Sequence, residues 1–213
     1  MTPAHAPHQA FIDMPARRRT LPAGYLVATP NHTENQVFMV ESGRLRVSLT
    51  GQSRALTLSY LEPGDIYTTH TPTYIETVSP TVLRMVETAQ FAQQLRTDPA
   101  AIGTVMRVLG RLLENSVALV EDLAFRDVPA RLARFLLGLA ERRGTAVAGG
   151  VLVPLELNME DVASLLGTTR QTASSLMNQF ERDGWLQRPT RRSVLVTNMA
   201  RLEALAGRDG SVG

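Results

Sequence analysis

Between Pro99 and Pro129 the chain contains no proline, and inside that span apolar side chains return every seventh residue. Ile102, Leu109, Ser116 and Leu123 form one series, and Val105, Leu112 and Leu119 form a second, three residues on. This is the a/d pattern of a helix with an apolar seam. Asp98 can cap the helix, with Pro99 at its first position. About 26 residues run about 39 Å at 1.5 Å per residue, longer than a small β domain needs along one face. The excess length predicts a seam between two copies, a homodimer. A further stripe, Met106, Leu113 and Val120, lies beside the seam and is expected to face the β domain. Gly110 sits between the two stripes and costs the helix about 1 kcal/mol relative to alanine. A close backbone approach is therefore expected there, from the partner helix or from a bound ligand.

The flanks of this helix set the fold class. Residues 1–24 are rich in Pro, Ala, His and Arg and read as an arm. Residues 25–97 offer short β-rich runs (37–40, 45–49, 55–60 and 82–86) broken by Ser-Gly, Thr-Gly, Pro-Gly and Ser-Pro pairs. They predict a small antiparallel roll. The dimerisation helix takes residues 98–127. The remainder, 128–213, opens with an amphipathic helix ended by Gly144, followed by a loop and a short strand. The predicted class is α+β: an N-terminal antiparallel β-roll, a long dimerisation helix and a C-terminal winged helix-turn-helix.

That last domain carries the most specific signal. Asn158 can cap a helix from Met159 to Leu166, Gly167 makes a tight turn, and Thr169 can cap a second helix from Arg170 to Arg182. Two short helices joined by a glycine turn form a helix-turn-helix. The outward face of the second helix carries Arg170, Gln171, Ser174, Ser175 and Asn178. Arginine can pair bidentately with guanine and glutamine with adenine, and small hydroxyls allow close approach to the groove. Arg188, Arg191 and Arg192 form a basic hairpin tip before the strand at residues 193–196, placed to neutralise phosphates of double-stranded DNA.

Composition removes other functions. The chain of 213 residues has no cysteine, so disulfides, thiolate metal sites and cysteine nucleophiles are excluded. Its net charge is only +2, and all 22 of its basic residues are arginine. No apolar run approaches the roughly 20 residues that span a bilayer, so the expected location is cytoplasmic and without membrane contact. No nucleophile–base pair, phosphate loop or His/carboxylate cluster with metal spacing is present, so no enzyme is expected.

The stretches SGRLRVSL, YLEPGDIY and LLGTTRQTASSLMNQFERDGWL resemble the CRP/FNR superfamily of bacterial regulators. The resemblance runs from about Tyr25 to Gly207. It implies an effector-binding β-roll of the cyclic-nucleotide-binding type, a dimerisation helix and a winged helix that binds a palindromic operator, with RNA polymerase as a further partner. It also implies that the residues corresponding to Arg170, Gln171 and Ser174 read the operator. Cyclic-nucleotide members place an arginine shortly after the Pro-Gly-Asp turn to hold the phosphate. The segment IYTTHTPTYIETVSPTV has none, which argues against cAMP.

Within the superfamily, FMVESGRLRV, GDIYTTHT and VLGRLLENSVALVEDLAFRD are similar to the CooA-type haem sensors of carbon monoxide. That resemblance implies haem b, one per subunit, with His70 on the iron and Leu109, Gly110 and Leu113 lining the bound gas. It implies a second iron ligand from the other subunit's arm: the Thr2 amine after removal of Met1, with His5 and His8 as alternatives. CooA proteins commonly carry a cysteine ligand two residues before the histidine. Thr68 stands there, so a redox exchange of ligands is not expected and His70 should serve in both oxidation states. The expected function is an activator that binds its operator when carbon monoxide reaches the haem. Nitric oxide, or a small effector without haem, is the alternative input.

Overall fold

The computed structural model describes residues 15–51, 55–97, 99–190 and 192–207. The chain divides into two compact units, one of residues 1–51 and 57–117, the other of residues 52–56 and 118–213.

The first unit is a β-roll of two antiparallel four-stranded sheets. One has the order β1 (Arg17–Leu21), β8 (Thr81–Glu87), β3 (Gln36–Ser42), β6 (Ile66–Thr68). The other runs β2 (Leu26–Ala28), β7 (Tyr74–Thr77), β4 (Leu45–Thr50), β5 (Ala55–Leu61). Alternation along β3 explains its unbroken apolar run. Phe38 and Val40 point into the core between the sheets with Leu45, Val47, Ile75 and Leu83, while Val37 and Met39 point to the opposite face. That second face is covered by α1 (Thr88–Thr97) and α2 (Pro99–Phe125), through Phe91, Val108 and Leu112.

Buried threonines tie the corners of the roll. Thr69, 1% exposed, donates to the Glu34 carbonyl at 2.6 Å and accepts from the Gln36 N–H at 3.0 Å. Thr77 donates to the Pro22 carbonyl at 2.6 Å and accepts from the Tyr25 N–H at 2.8 Å. Thr81 donates to the Ser79 carbonyl at 2.8 Å and accepts from the Arg44 N–H at 3.2 Å. Each hydroxyl satisfies a donor and an acceptor that the strand ladders leave over.

Two expectations are corrected here. Residues 17–21 fell within the expected arm; instead they form β1, paired along its length with β8. The faces of α2 are also reassigned. Met106, Leu113 and Val120 were expected on the β-roll, yet they are 62%, 66% and 65% exposed. Val108, outside both heptad series, is the residue buried on the sheet. Leu112, expected in the seam, packs beside it. The 3.6-residue turn places Val105, Val108 and Leu112 on one side of the helix, and the sheet takes that side. The exposed apolar stripe is then Ile102, Met106, Leu109, Leu113, Val117 and Val120.

In the second unit α3 (Val128–Arg143) begins at Asp127, whose side chain accepts from the Ala130 N–H, with Pro129 in the first turn. It ends at Gly144. β9 (Thr145–Val147), β10 (Gly150–Pro154), β12 (Ser193–Val196) and β11 (Leu186–Thr190) make an antiparallel sheet in the order β11-β12-β10-β9. Helices α4 (Met159–Leu166), α5 (Arg170–Arg182) and α6 (Met199–Ala206) complete the unit. Leu132 and Leu136 of α3, Val162, Met177, Phe180, Leu186, Val194 and Leu202 form its core.

Among the described residues no helix is long and apolar enough to cross a membrane.

Candidate nucleic-acid interface and effector cavity

The helix-turn-helix is held by its caps. The Asn158 side chain accepts from the Asp161 N–H at 2.9 Å, and the Asp161 carboxylate accepts in return from the Asn158 N–H. This reciprocal pair satisfies two helix-end donors at once. Gly167 ends α4 at φ 61°, in the left-handed region that favours glycine. Thr169 then caps α5 by accepting from the Thr172 N–H at 3.2 Å. Ala173, Met177 and Phe180 bury one face of α5, and Phe180 meets Trp185 with ring centroids 4.9 Å apart. With that face fixed, Arg170, Gln171, Ser175 and Asn178 lie exposed on the other, and Ser174 is half-buried beside them.

The wing is not a row of free cations. Arg192 is exposed, and Arg191 lies outside the described residues. Arg188 is engaged by α5. Its Nε donates to Glu181 Oε2 at 3.0 Å, its Nη2 donates to the same oxygen and to Asn178 Oδ1 at 2.6 Å, and its backbone N–H donates to Glu181 Oε1 at 3.2 Å. Hydrogen bonding from the Arg188 side chain holds the Glu181 carboxyl below the usual carboxylate range, against a smaller opposing effect of burial.

The first unit contains a cavity of about 450 Å³. Leu58, Ile66, Phe91, Val108, Leu109 and Leu112 give it an apolar wall, and its polar edge comes from Ser59, Thr68, Thr71, Asn115 and Ser116. Among the described residues no arginine lines it, so an anionic phosphate placed there meets no described cationic side chain. Leu109 and Leu113 both border it. A Cβ built on Gly110, between them, would meet nothing within 4 Å. The space beside that backbone is open.

His70 is exposed, in the loop after β6 and between two cavity-lining residues. Its N–H donates to Thr68 Oγ1 at 3.2 Å. The preceding Thr69 pins the loop to the start of β3, its N–H donating to the Gln36 carbonyl at 3.0 Å. Thr2, His5 and His8 lie outside the described residues. Among the described residues no group of three His, Cys, Asp or Glu side chains could hold a metal ion by itself.

Residues 130–205 match the Crp-like helix-turn-helix domain. A CooA variant from Carboxydothermus hydrogenoformans superposes with a TM-score of 0.84 at 36% identity, over 90% of this chain and 88% of that one. The chain belongs to the CRP/FNR family of transcription regulators. The reduced (FeII) CO-sensing protein from R. rubrum is 34% identical over 93% of each chain, with a TM-score of 0.54. The CRP-like cAMP-activated global transcriptional regulator of Mycobacterium tuberculosis is 28% identical, over 85% of this chain and 84% of its own. This CRP/FNR protein is thus a DNA-binding transcription regulator that resembles CooA.

Sequence reasoning found the caps, the turn and the exposed polar face of α5, because each is encoded within a few residues. It missed the engagement of Arg188 by Glu181. Arg188 lies on β11, beyond the end of α5, so no helix-face rule pairs it with Glu181.

Proposed function

We propose that this regulator binds haem b, one per subunit, in the cavity of its β-roll, senses carbon monoxide there, and acts on palindromic DNA as a homodimer through α2. The observation that carries this reading is the cavity itself: apolar, with no arginine among the described residues that line it, bordered by Leu109 and Leu113, and edged by Thr68 and Thr71, which lie on either side of His70 in the chain. A haem of flat, mostly apolar surface suits such a slot, and Gly110 leaves its backbone open to close approach. When bound, haem supplies an iron that takes carbon monoxide.

The chain's own residues have separate tasks. His70 is assigned to the iron, on a loop held by Thr69. Leu109 and Leu113 keep water from the gas side. From the arm of the other subunit, Thr2, His5 or His8 would offer a second ligand to the iron. The exposed apolar stripe on α2, which includes Met106, Val117 and Val120, meets its equivalent in the second copy. In the DNA complex Thr169, Arg170, Gln171, Ser174 and Ser175 enter the major groove and Arg191 and Arg192 reach phosphates. RNA polymerase is the partner of the activated complex.

The test is the Soret spectrum of the haem-loaded protein with and without carbon monoxide, beside His70→Ala. A shift of the ferrous spectrum in the variant supports the assignment, and an unchanged one removes His70. A second reading, a small apolar effector without haem, draws on the exposure of the His70 side chain. Protein that stays colourless after expression with ample haem, yet binds its operator, selects that reading.

A further inference from the structure

Asn178 lies on the exposed face of α5, three and four residues beyond Ser175 and Ser174 and seven beyond Gln171, so these side chains share one stripe of the helix. Its amide has an oxygen that only accepts and a nitrogen that only donates. Arg188 has donors alone, so the group it meets at 2.6 Å must be the amide oxygen. With Oδ1 turned to Arg188, the Asn178 NH2 is directed away from it. No described protein group takes those two N–H bonds. Arg188 is in turn fixed by the Glu181 carboxylate, which takes its Nε–H, an Nη2–H and its backbone N–H. A guanidinium held by a carboxylate on its own protein brings little net charge to a phosphate, whereas an oriented amide keeps its full donor capacity.

We propose that Arg188 is a positioning residue: anchored by Glu181, it orients Asn178 as a hydrogen-bond donor to an acceptor oxygen or nitrogen of DNA. The acceptor is a phosphate oxygen or a major-groove acceptor of a base, guanine O6 or N7, thymine O4 or adenine N7; the adenine and cytosine amino groups are refused, because they also donate. Lysine cannot replace Arg188, since one ammonium does not reproduce the planar fork that meets Glu181 and Asn178 together.

The experiment measures affinity and its salt dependence for the full-length protein. It uses a duplex that the wild type selects from random-sequence DNA and an unselected duplex of equal length. Asn178→Ala should weaken binding about tenfold, the scale of one hydrogen bond to a charged or well-placed acceptor. Arg188→Lys should lose a similar factor although the charge is kept, and the double variant should be no weaker than either single one. Glu181→Gln gives the sharpest sign. Removing a negative charge beside DNA should by electrostatics alone tighten binding, whereas loss of the anchor should weaken it several-fold.

Wild-type affinity in Arg188→Lys, tighter binding in Glu181→Gln, or losses that multiply in the double variant would each overturn the proposal. So would an Arg188→Ala salt slope reduced by about 0.9 per subunit, the signature of a phosphate clamp. Thermal midpoints confirm that each variant is folded. Equal losses on both duplexes place the acceptor on phosphate, and losses confined to the selected duplex place it on a base. Both results keep Asn178 as the donor.

Discussion

Met106 and Val108 stand two residues apart on α2, and one is 62% exposed while the other is 8% exposed. The sheet takes the Val108 side, which leaves an apolar stripe from Ile102 to Val120 as the face for a second copy. Met106→Glu and Val117→Glu, each placed on that stripe, should therefore separate the dimer. Burying an unpaired carboxylate at a helix seam costs several kcal/mol, which raises the dissociation constant at least 100-fold. Sedimentation velocity at micromolar protein should find monomer in the variants and dimer in the wild type.

Gly110→Ala separates two effects of one methyl group. The helix gains about 1 kcal/mol, and no atom within 4 Å opposes the new Cβ. The thermal midpoint without effector should rise. Haem retention or dimerisation should fall, because the space beside Gly110 is then partly filled. A rise with both properties unchanged would show that nothing comes close to Gly110.

Thr69→Val replaces the hydroxyl with a methyl group of nearly the same size and strips the partner from the Glu34 carbonyl and the Gln36 N–H. A loss of about 1–3 kcal/mol in unfolding free energy is expected, with Thr69→Ser restoring most of it. If His70 holds haem, the Val variant should also broaden the Soret band, since the loop carrying the ligand is no longer fixed.

Asn158→Ala removes the reciprocal cap at the start of α4. The expected cost is about 1 kcal/mol, read as a drop of roughly 4–8 °C in the unfolding of the DNA-binding unit. Asn158→Asp, which can accept the same N–H, should recover it.

Glu181 should titrate below a free glutamate, since Arg188 stabilises its charged form. A carboxyl whose folded value is depressed contributes stability in full above its unfolded value and loses it as pH falls through the folded one. The pair is partly exposed, so its share of stability is small, about 0–1 kcal/mol. The clean readout is the NMR titration of the Glu181 carboxyl carbon, whose midpoint should move up in Arg188→Ala.

What the sequence disclosed follows from the range of each interaction. The caps at Asn158, Gly167 and Thr169 act within three residues, and α4 and α5 have the bounds the spacing predicts. The orientation of α2 does not reduce to spacing. Two adjacent stripes share the heptad period, and only contact with Val37, Met39 and Ile66 decides which is buried. The steps from Val105 to Val108 to Leu112 carried that signal, and the choice of Val105 and Leu112 as seam residues concealed it. β1 was hidden by its three consecutive arginines, an edge strand that earns its place by pairing with β8 rather than by apolar content. α1 has few apolar side chains besides Phe91 and Leu95, too few for a period. Near the cavity, Leu109 and Leu113 were singled out by the resemblance to CooA-type sensors rather than by spacing, and the exposure of His70 depends on how its loop leaves β6.

The threonine ties at Thr69, Thr77 and Thr81 give the β-roll crosslinks made of hydroxyl groups in a chain that has no cysteine. Hydroxyls neither oxidise to disulfides nor exchange with glutathione. The corners of the β-roll therefore keep the same connections in oxidising and reducing media, and dithiothreitol or diamide should leave the apo-protein's melting curve unchanged. A redox response that appears only after loading then reports on the bound group, with the scaffold serving as its own constant background.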